Sequence, residues 1–477
     1  MPRRHLHVTG AAEAPLRAAL RALRTELAIP DAFPPAVLAE AETAAKAPRL
    51  PADDATDLPL FTIDPPGATD LDQAMHLARR ADGYRIHYAI ADVAAFVTPG
   101  GAIDNEAHHR VQTLYFPDGK VPLHPPVLSE GAASLLPDQT VPALLWRIDL
   151  DAGGRRVATD VRRALVRSRA RLDYAGVQQQ IDDGTAEEPL ALLREIGRLR
   201  EALEAERGGI SLGVPEQEIV DRNGSYSLHY RAPLPADAWN AQISLLTGMA
   251  AADIMTAAGT GVLRTLPTAP DGAVARLRRS AKALGVDWPH HVSYADVVRR
   301  LDPRNPRHAA FLQDCTTLLR GAGYTVFTDG KLPTPAIHAA VADEYTHCTA
   351  PLRRLVDRYA GELCVAAVAG REPPEWATAG LAALPDEMAE GARRANTVER
   401  ECVDTVEAAL LQPRVGELFD AYVIDVKEQE PTVGTVHLDD PAVVARVEGD
   451  DLPLGAWLRV RLTQADPGSA KVRFAPA

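Results

Sequence analysis

The sequence predicts an α+β multidomain protein: a small helical N-terminal domain, a central mixed α/β domain, and a C-terminal all-β barrel of the OB type. Three observations carry this. Leucines recur at helical spacing near the start, strands precede long helices through the middle, and five short strands fill 413–477.

In the first 57 residues, Leu16, Leu20, Leu23 and Leu27 form an apolar stripe with Arg17, Arg21 and Arg24 around it. Ile29-Pro30-Asp31 ends that helix, and a second is expected over 34–45, since Pro is welcome in a first turn. A helix-turn-helix or winged helix touching nucleic acid is one reading of the pair. The other, placed first for contact, is a helical cap packed on the next domain. A linker follows over 48–59. The central domain, 58–412, opens with strands at 60–63, 84–90, 143–150 and 157–166, separated by Gly, Pro and Asp turns. Amphipathic helices come next, over 187–206 with the stripe Leu192, Ile196, Leu199 and Leu203, then over 239–258 and 385–410. The last block, 413–477, has strands at 418–426, 432–438, 443–447, 457–462 and 471–474, which suit an OB-type barrel.

Composition narrows the function. The 477 residues are 46% hydrophobic and 24% charged, which supports a large core and excludes wholesale disorder. The net charge of −14 means that any nucleic-acid role must rest on local basic surface. Cys315, Cys348, Cys364 and Cys402 form no CxxC pair, so buried thiols in a reducing cytosol are expected rather than a zinc site or a disulfide framework. No apolar run approaches the roughly 18 residues of a membrane span, and no signal-like start is present. A cytoplasmic protein is the expectation.

The most informative stretch is Phe61-Thr-Ile-Asp64-Pro-Pro-Gly-Ala-Thr-Asp70-Leu-Asp72-Gln73. A β-prone run ends at Asp64, and Pro65, Pro66 and Gly67 stop any regular continuation. Three carboxylates held together raise one another's pKa unless a cation sits among them. Oxygen ligands at short, uneven spacing suit Mg²⁺, with Mn²⁺ as the alternative. An Asp-rich turn is the bland alternative. Two further segments favour the chemistry. In Glu344-Tyr-Thr-His347-Cys-Thr-Ala-Pro351-Leu-Arg353-Arg354 a Pro and paired arginines meet at a helix start, an arrangement that can clamp phosphate. Residues 155–171 hold seven arginines (155, 156, 162, 163, 167, 169 and 171) against the single acid Asp160, readable as a channel wall or as a solvated strand face.

These segments, in this order, resemble the RNB catalytic domain of the ribonuclease II / ribonuclease R exoribonuclease family. The likeness extends to Tyr88-Ala-Ile-Ala-Asp92-Val, Val97-Thr-Pro-Gly100, Leu114-Tyr115-Phe-Pro117 and Ala205-Glu-Arg-Gly-Gly209-Ile-Ser211-Leu, and covers about 58–412. The closing barrel is similar to the RNA-binding OB domain that follows RNB in that family. The resemblance implies processive 3′→5′ hydrolysis of single-stranded RNA with a free 3′ end, releasing nucleoside 5′-monophosphates with Mg²⁺, and no action on DNA. It implies that Asp64, Asp70 and Asp72 organise the metal, with Asp70 and Asp72 catalytic. Arg353 would grip the scissile phosphate with Arg354 beside it. Tyr115 would hold the last nucleotides, and Tyr174 would stack near the 3′-terminal base. For both tyrosines a core aromatic with a bonded hydroxyl is the alternative. In the barrel, Phe419, Tyr422, His437 and Trp457 are candidate RNA contacts, again with a core role as the alternative. No motif names a protein partner. Three departures stand out. Gln73 occupies the fourth acidic position, where its carbonyl can ligate a metal or hold a water without adding charge. The stretch Trp239-Asn240-Ala241-Gln242-Ile243 lacks the usual pair of acids. The 57 residues ahead of the central domain are too few for the family's N-terminal β-barrels, so a differently built RNA path is the expectation.

Overall fold

The computed structural model describes residues 7–9, 14–30, 32–222, 225–427, 429–438, 441, 443–469 and 471–477. Its strand-rich part is a closed five-stranded barrel of Leu60–Ile63, Gln73–Arg80, Gly83–Ala91, Thr140–Asp151 and Arg156–Leu172. The short first strand closes the ring by pairing in parallel with the last and antiparallel with the second. Closure leaves no sheet edge to protect. Buried Tyr84, Ile86, Tyr88 and Ile90 alternate along Gly83–Ala91, and the partner strand contributes buried Trp146 and Ile148.

Four of these strands match the expected positions. The fifth, Gln73–Arg80, is not among the expected strands. Its sequence has few β-branched residues, and its hairpin partner supplies the pairing that its own propensity does not. Gly83 makes that hairpin feasible: its φ is +153°, and a Cβ there would meet the Leu150 carbonyl oxygen at 2.1 Å.

Helices Glu188–Arg207, Pro235–Ala258 and Leu355–Val368 share one core with the barrel, built on Trp146, Leu192, Ile196, Ile243 and Val356. Among the described helices, Pro235–Ala258 alone is long and apolar enough by length and composition to cross a membrane, which corrects the expectation that no such segment exists. More than half of its most apolar stretch is buried inside the fold. The four cysteines are buried and free, as expected.

The C-terminal segment forms a second closed five-stranded barrel, of Leu418–Lys427, Glu430–Leu438, Val443–Glu448, Trp457–Asp466 and Lys471–Pro476. Its core runs on into the long helix Leu384–Leu411 and the N-terminal helix Ala14–Glu26, where Leu16, Leu20 and Leu23 join Val398, Cys402 and Val406. The second N-terminal helix, Pro35–Lys46, seats Val37 and Ala41 on a different cluster with Val93, Phe96 and Ile103. The two helices therefore pack on separate cores. His7–Thr9 adds a strand alongside Glu216–Arg222, so this segment is not wholly helical. The remainder of 1–13 lies outside the described residues.

Candidate functional site

The acidic loop leaves the first barrel between Ile63 and Gln73 and is fixed along its backbone. The Asp64 N–H donates to the Leu172 carbonyl at 3.1 Å, and Gly67, with φ +81°, turns the chain after the two prolines. Arg171 donates to the Ala68 carbonyl at 3.1 Å. The Ser134 hydroxyl accepts from the Leu71 N–H at 2.9 Å and donates to the Thr69 carbonyl at 2.7 Å. The Ala91 N–H donates to the Asp72 carbonyl at 2.9 Å, where the loop becomes strand.

A distant segment closes over this loop. The Leu352 N–H donates to Asp72 Oδ1 at 2.8 Å, and Arg353 Nε lies 3.5 Å from Asp72 Oδ2. Asp72 is buried, whereas the Arg353 side chain is 42% exposed. Backbone pairing with residues 111–113 places the neighbouring hairpin here: Thr113 N–H donates to the Arg353 carbonyl at 3.1 Å, and Leu355 N–H to the Val111 carbonyl at 3.0 Å. The Tyr115 hydroxyl consequently hydrogen-bonds the Arg353 guanidinium. Tyr174, which opens a helix just after the barrel, accepts a 3.0 Å hydrogen bond from Asn240 Nδ2 and feels the charges of both Asp64 and Arg353.

Burial dominates the electrostatics. It raises the Asp64 carboxyl to about 6 and the Asp72 carboxyl to about 7, with Arg353 pulling both down and Asp70 pushing both up. Asp70 itself is ion-paired, its Oδ1 lying 2.6 Å from Lys120 Nζ, which also lies 3.1 Å from Glu130 Oε1.

The expected residues thus divide. Asp64, Asp72, Arg353, Tyr115 and Tyr174 gather around one centre. Asp70 borders it but is held by Lys120. Gln73 is held at both ends of its amide: Nε2 donates to the Thr349 carbonyl at 2.7 Å, and Oε1 accepts from the Tyr88 hydroxyl at 2.7 Å. Arg354 forks onto Asp357 with two 2.7 Å hydrogen bonds, and Asp357 also accepts the Ala350 N–H. Arg354 therefore braces the helix start. Among the described residues, no three His, Cys, Asp or Glu side chains gather into a group that could hold a metal ion.

The arginine run is largely ion-paired. Arg155 pairs with Glu206, Arg156 with Asp253, Arg162 with Asp53, Arg163 with Asp92 and Glu362, and Arg169 with Glu187. Arg167 donates to the Thr140 hydroxyl. Within the run, Arg171 reaches the acidic loop. Sequence reasoning missed Lys120, Glu130 and Asn240. Asn240 stands in the stretch noted for lacking acids, and that departure was its only signal.

The arrangement suits a phosphodiester. A half-buried and a buried carboxylate, Asp64 and Asp72, lie beside the Arg353 guanidinium, whose Nε is 3.5 Å from Asp72 Oδ2 and which also meets Tyr115 and Tyr174.

The family model described as the RNB domain matches residues 52–369, and the model of the RNase II-type exonuclease C-terminal S1 domain matches 417–477. Ribonuclease R of Aquifex aeolicus (strain VF5) is 27% identical over 456 residues, covering 87% of this chain and 63% of that protein. The chain spans about half the length of other curated ribonuclease R relatives. Among solved structures, the apo form of Mycoplasma genitalium RNase R has a TM-score of 0.84 at 20% identity, covering 98% of this chain and 79% of that one. Yeast Ssd1, described as a pseudonuclease, has a TM-score of 0.66 at 18% identity, covering 88% and 53%. These structural likenesses concern the fold.

Proposed function

This chain belongs to the RNB family, and on that footing we propose that it is a processive 3′→5′ exoribonuclease that hydrolyses single-stranded RNA to nucleoside 5′-monophosphates. The observation that carries the reading is the meeting of Asp72 with Leu352 and Arg353, from opposite ends of the central domain. A buried carboxylate beside a half-exposed guanidinium is costly to maintain. An anionic phosphodiester would be gripped by Arg353 while Asp72 orients the attacking water and accepts its proton. Tyr115 and Tyr174 offer ring faces that accept any base, as an exonuclease requires. Contacts to the 2′-hydroxyl would be needed to refuse DNA.

A divalent cation, Mg²⁺ or Mn²⁺, fits Asp64 and Asp72. Burial holds both carboxyls well above their ordinary range, and a nearby cation would relieve that penalty. When bound, it would polarise the scissile phosphate and lower the pKa of water. Asp70 and Gln73, held by Lys120 and by Tyr88 and Thr349, fit a metal shell less well.

Gln73 also favours a second reading, an RNA-binding protein on a catalytically weakened RNB scaffold. Labelled single-stranded RNA incubated with and without Mg²⁺ separates the two. A ladder shrinking from the 3′ end supports the exoribonuclease, whereas binding with no cleavage at any Mg²⁺ or Mn²⁺ concentration supports the scaffold.

A further inference from the structure

Two charged side chains at the edge of this centre are not used by the chemistry described. Lys120 stands directly opposite Tyr115 in the hairpin formed by Leu114–Phe116 and Gly119–Val121, so the two residues project from the same face. Its ammonium lies 2.6 Å from Asp70 Oδ1 and 3.1 Å from Glu130 Oε1. Glu130 is fixed in turn, its Oε2 accepting from the Thr69 hydroxyl at 3.1 Å. The three side chains are mostly shielded from water, at 23% exposed for Lys120, 17% for Asp70 and 30% for Glu130. Thr69 and Asp70 both belong to the acidic loop, so one ammonium reaches that loop directly and through Glu130.

We propose that Lys120 is the built-in cation of the acidic loop, neutralising Asp70 and keeping it out of the metal shell, so that Asp64 and Asp72 alone hold the divalent ion. The assignment deepens the exoribonuclease reading and rests on it for the identity of the centre. Unscreened carboxylates in one small volume repel one another, and an ammonium on a flexible stem supplies a compact positive charge that never has to be recruited from solution. Glu130 anchors that ammonium at the Asp70 side. Gln73 points the same way: the loop position that could have carried a further acid is an amide already engaged with Tyr88 and Thr349. The loop therefore offers a divalent ion less negative charge than its composition suggests. Lys120 is a positioning residue here, acting through Asp70.

A purely mechanical role, in which Lys120 only pins the loop, predicts something different. Breaking either arm of the bridge would then loosen the loop and weaken metal binding. The electrostatic role predicts effects of opposite sign. The test is Mn²⁺ binding to the full chain, read from the free-ion EPR signal without RNA, in the parent, Lys120→Gln, Lys120→Arg and Glu130→Gln. Lys120→Gln should tighten Mn²⁺ binding about tenfold by unmasking Asp70, and Glu130→Gln should weaken it severalfold by leaving the cation in excess. Lys120→Arg keeps the charge and should stay within about twofold of the parent. Unchanged or weaker binding by folded Lys120→Gln overturns the proposal, as does a parent that binds no Mn²⁺. If Lys120→Gln does not fold, Lys120→Met takes its place, and unchanged or weaker binding overturns the proposal. Hydrolysis of single-stranded RNA by the parent is measured in the same samples. A parent that binds Mn²⁺ yet leaves RNA intact defeats the exoribonuclease reading, while the Lys120 assignment is still decided by the binding data.

Discussion

Asp72 accepts a backbone hydrogen bond from a residue 280 positions away and faces a guanidinium from the next. Asp72→Asn keeps the acceptor for Leu352 and removes only the charge. The variant should bind single-stranded RNA at least as well as the parent and turn it over orders of magnitude more slowly, because the lost group acts mainly in the transition state. Single-turnover kinetics with a separate binding isotherm check this. Tyr115 gives a second residue-scale expectation. Tyr115→Ala should lengthen the shortest product while early degradation persists, whereas Tyr115→Phe, which loses only the hydroxyl bonded to Arg353, should keep the parental end product. Identical ladders from all three proteins would assign Tyr115 to packing. At Gln73 the structure changes the expectation. An aspartate is too short to replace both amide hydrogen bonds and cannot donate to Thr349, so Gln73→Asp should cost about 1–3 kcal/mol of stability, measured by denaturant unfolding.

At the scale of elements, regular structure was largely legible and side-chain contact was not. The helices expected at 187–206 and 385–410, and all five strands of the closing barrel, are present within a few residues, because each carries its own apolar period. The strand Gln73–Arg80 was missed because its pairing comes from a neighbour, and the arginine run was ambiguous because its acidic partners lie far away in sequence. The loop carrying Asp64 and Asp72 could be singled out from its Pro-Pro-Gly break. Lys120 could not, since nothing local marks a lysine in a hairpin as the partner of Asp70. The four candidate aromatics of the closing barrel show the same limit. Phe419, Tyr422 and His437 are buried, Phe419 packing edge-on against Phe474, whereas Trp457 is 48% exposed beside Tyr422. The core alternative therefore describes the first three. Phe419→Ala should cost about 3–5 kcal/mol of stability. Trp457→Ala should leave stability near the parental value and weaken binding of long single-stranded RNA by roughly the 1–3 kcal/mol of one stacked base. An unchanged dissociation constant at physiological salt would remove Trp457 from the RNA path.

For the whole molecule, the net charge of −14 means that the proposed RNA binding would fall on a few fixed cations, Arg353 foremost. The raised carboxyls of the centre also tie stability to pH. Asp72 is held at about 7 by burial, above its free value of 3.8, so between these values the folded chain binds more protons than the unfolded chain. Its contribution to metal-free stability is accordingly greatest at the acid end and falls as pH rises through that window, and Asp64, at about 6, acts in the same sense. A divalent ion requires both carboxylates ionised, so metal binding near pH 6 should release protons, and apparent metal affinity should rise towards pH 8. Calorimetry in two buffers of different ionisation enthalpy reads the release, and its absence would place the ion elsewhere. The central claim is that this centre cuts RNA from the 3′ end, and the most direct measurement follows a 5′-labelled single-stranded RNA with Mg²⁺ present, using the parent and Asp72→Asn. The expected result is progressive shortening to a few nucleotides with release of nucleoside 5′-monophosphates by the parent, and intact, bound RNA with the variant. Equal degradation by both proteins, or none by the parent at any Mg²⁺ or Mn²⁺ concentration, would contradict it.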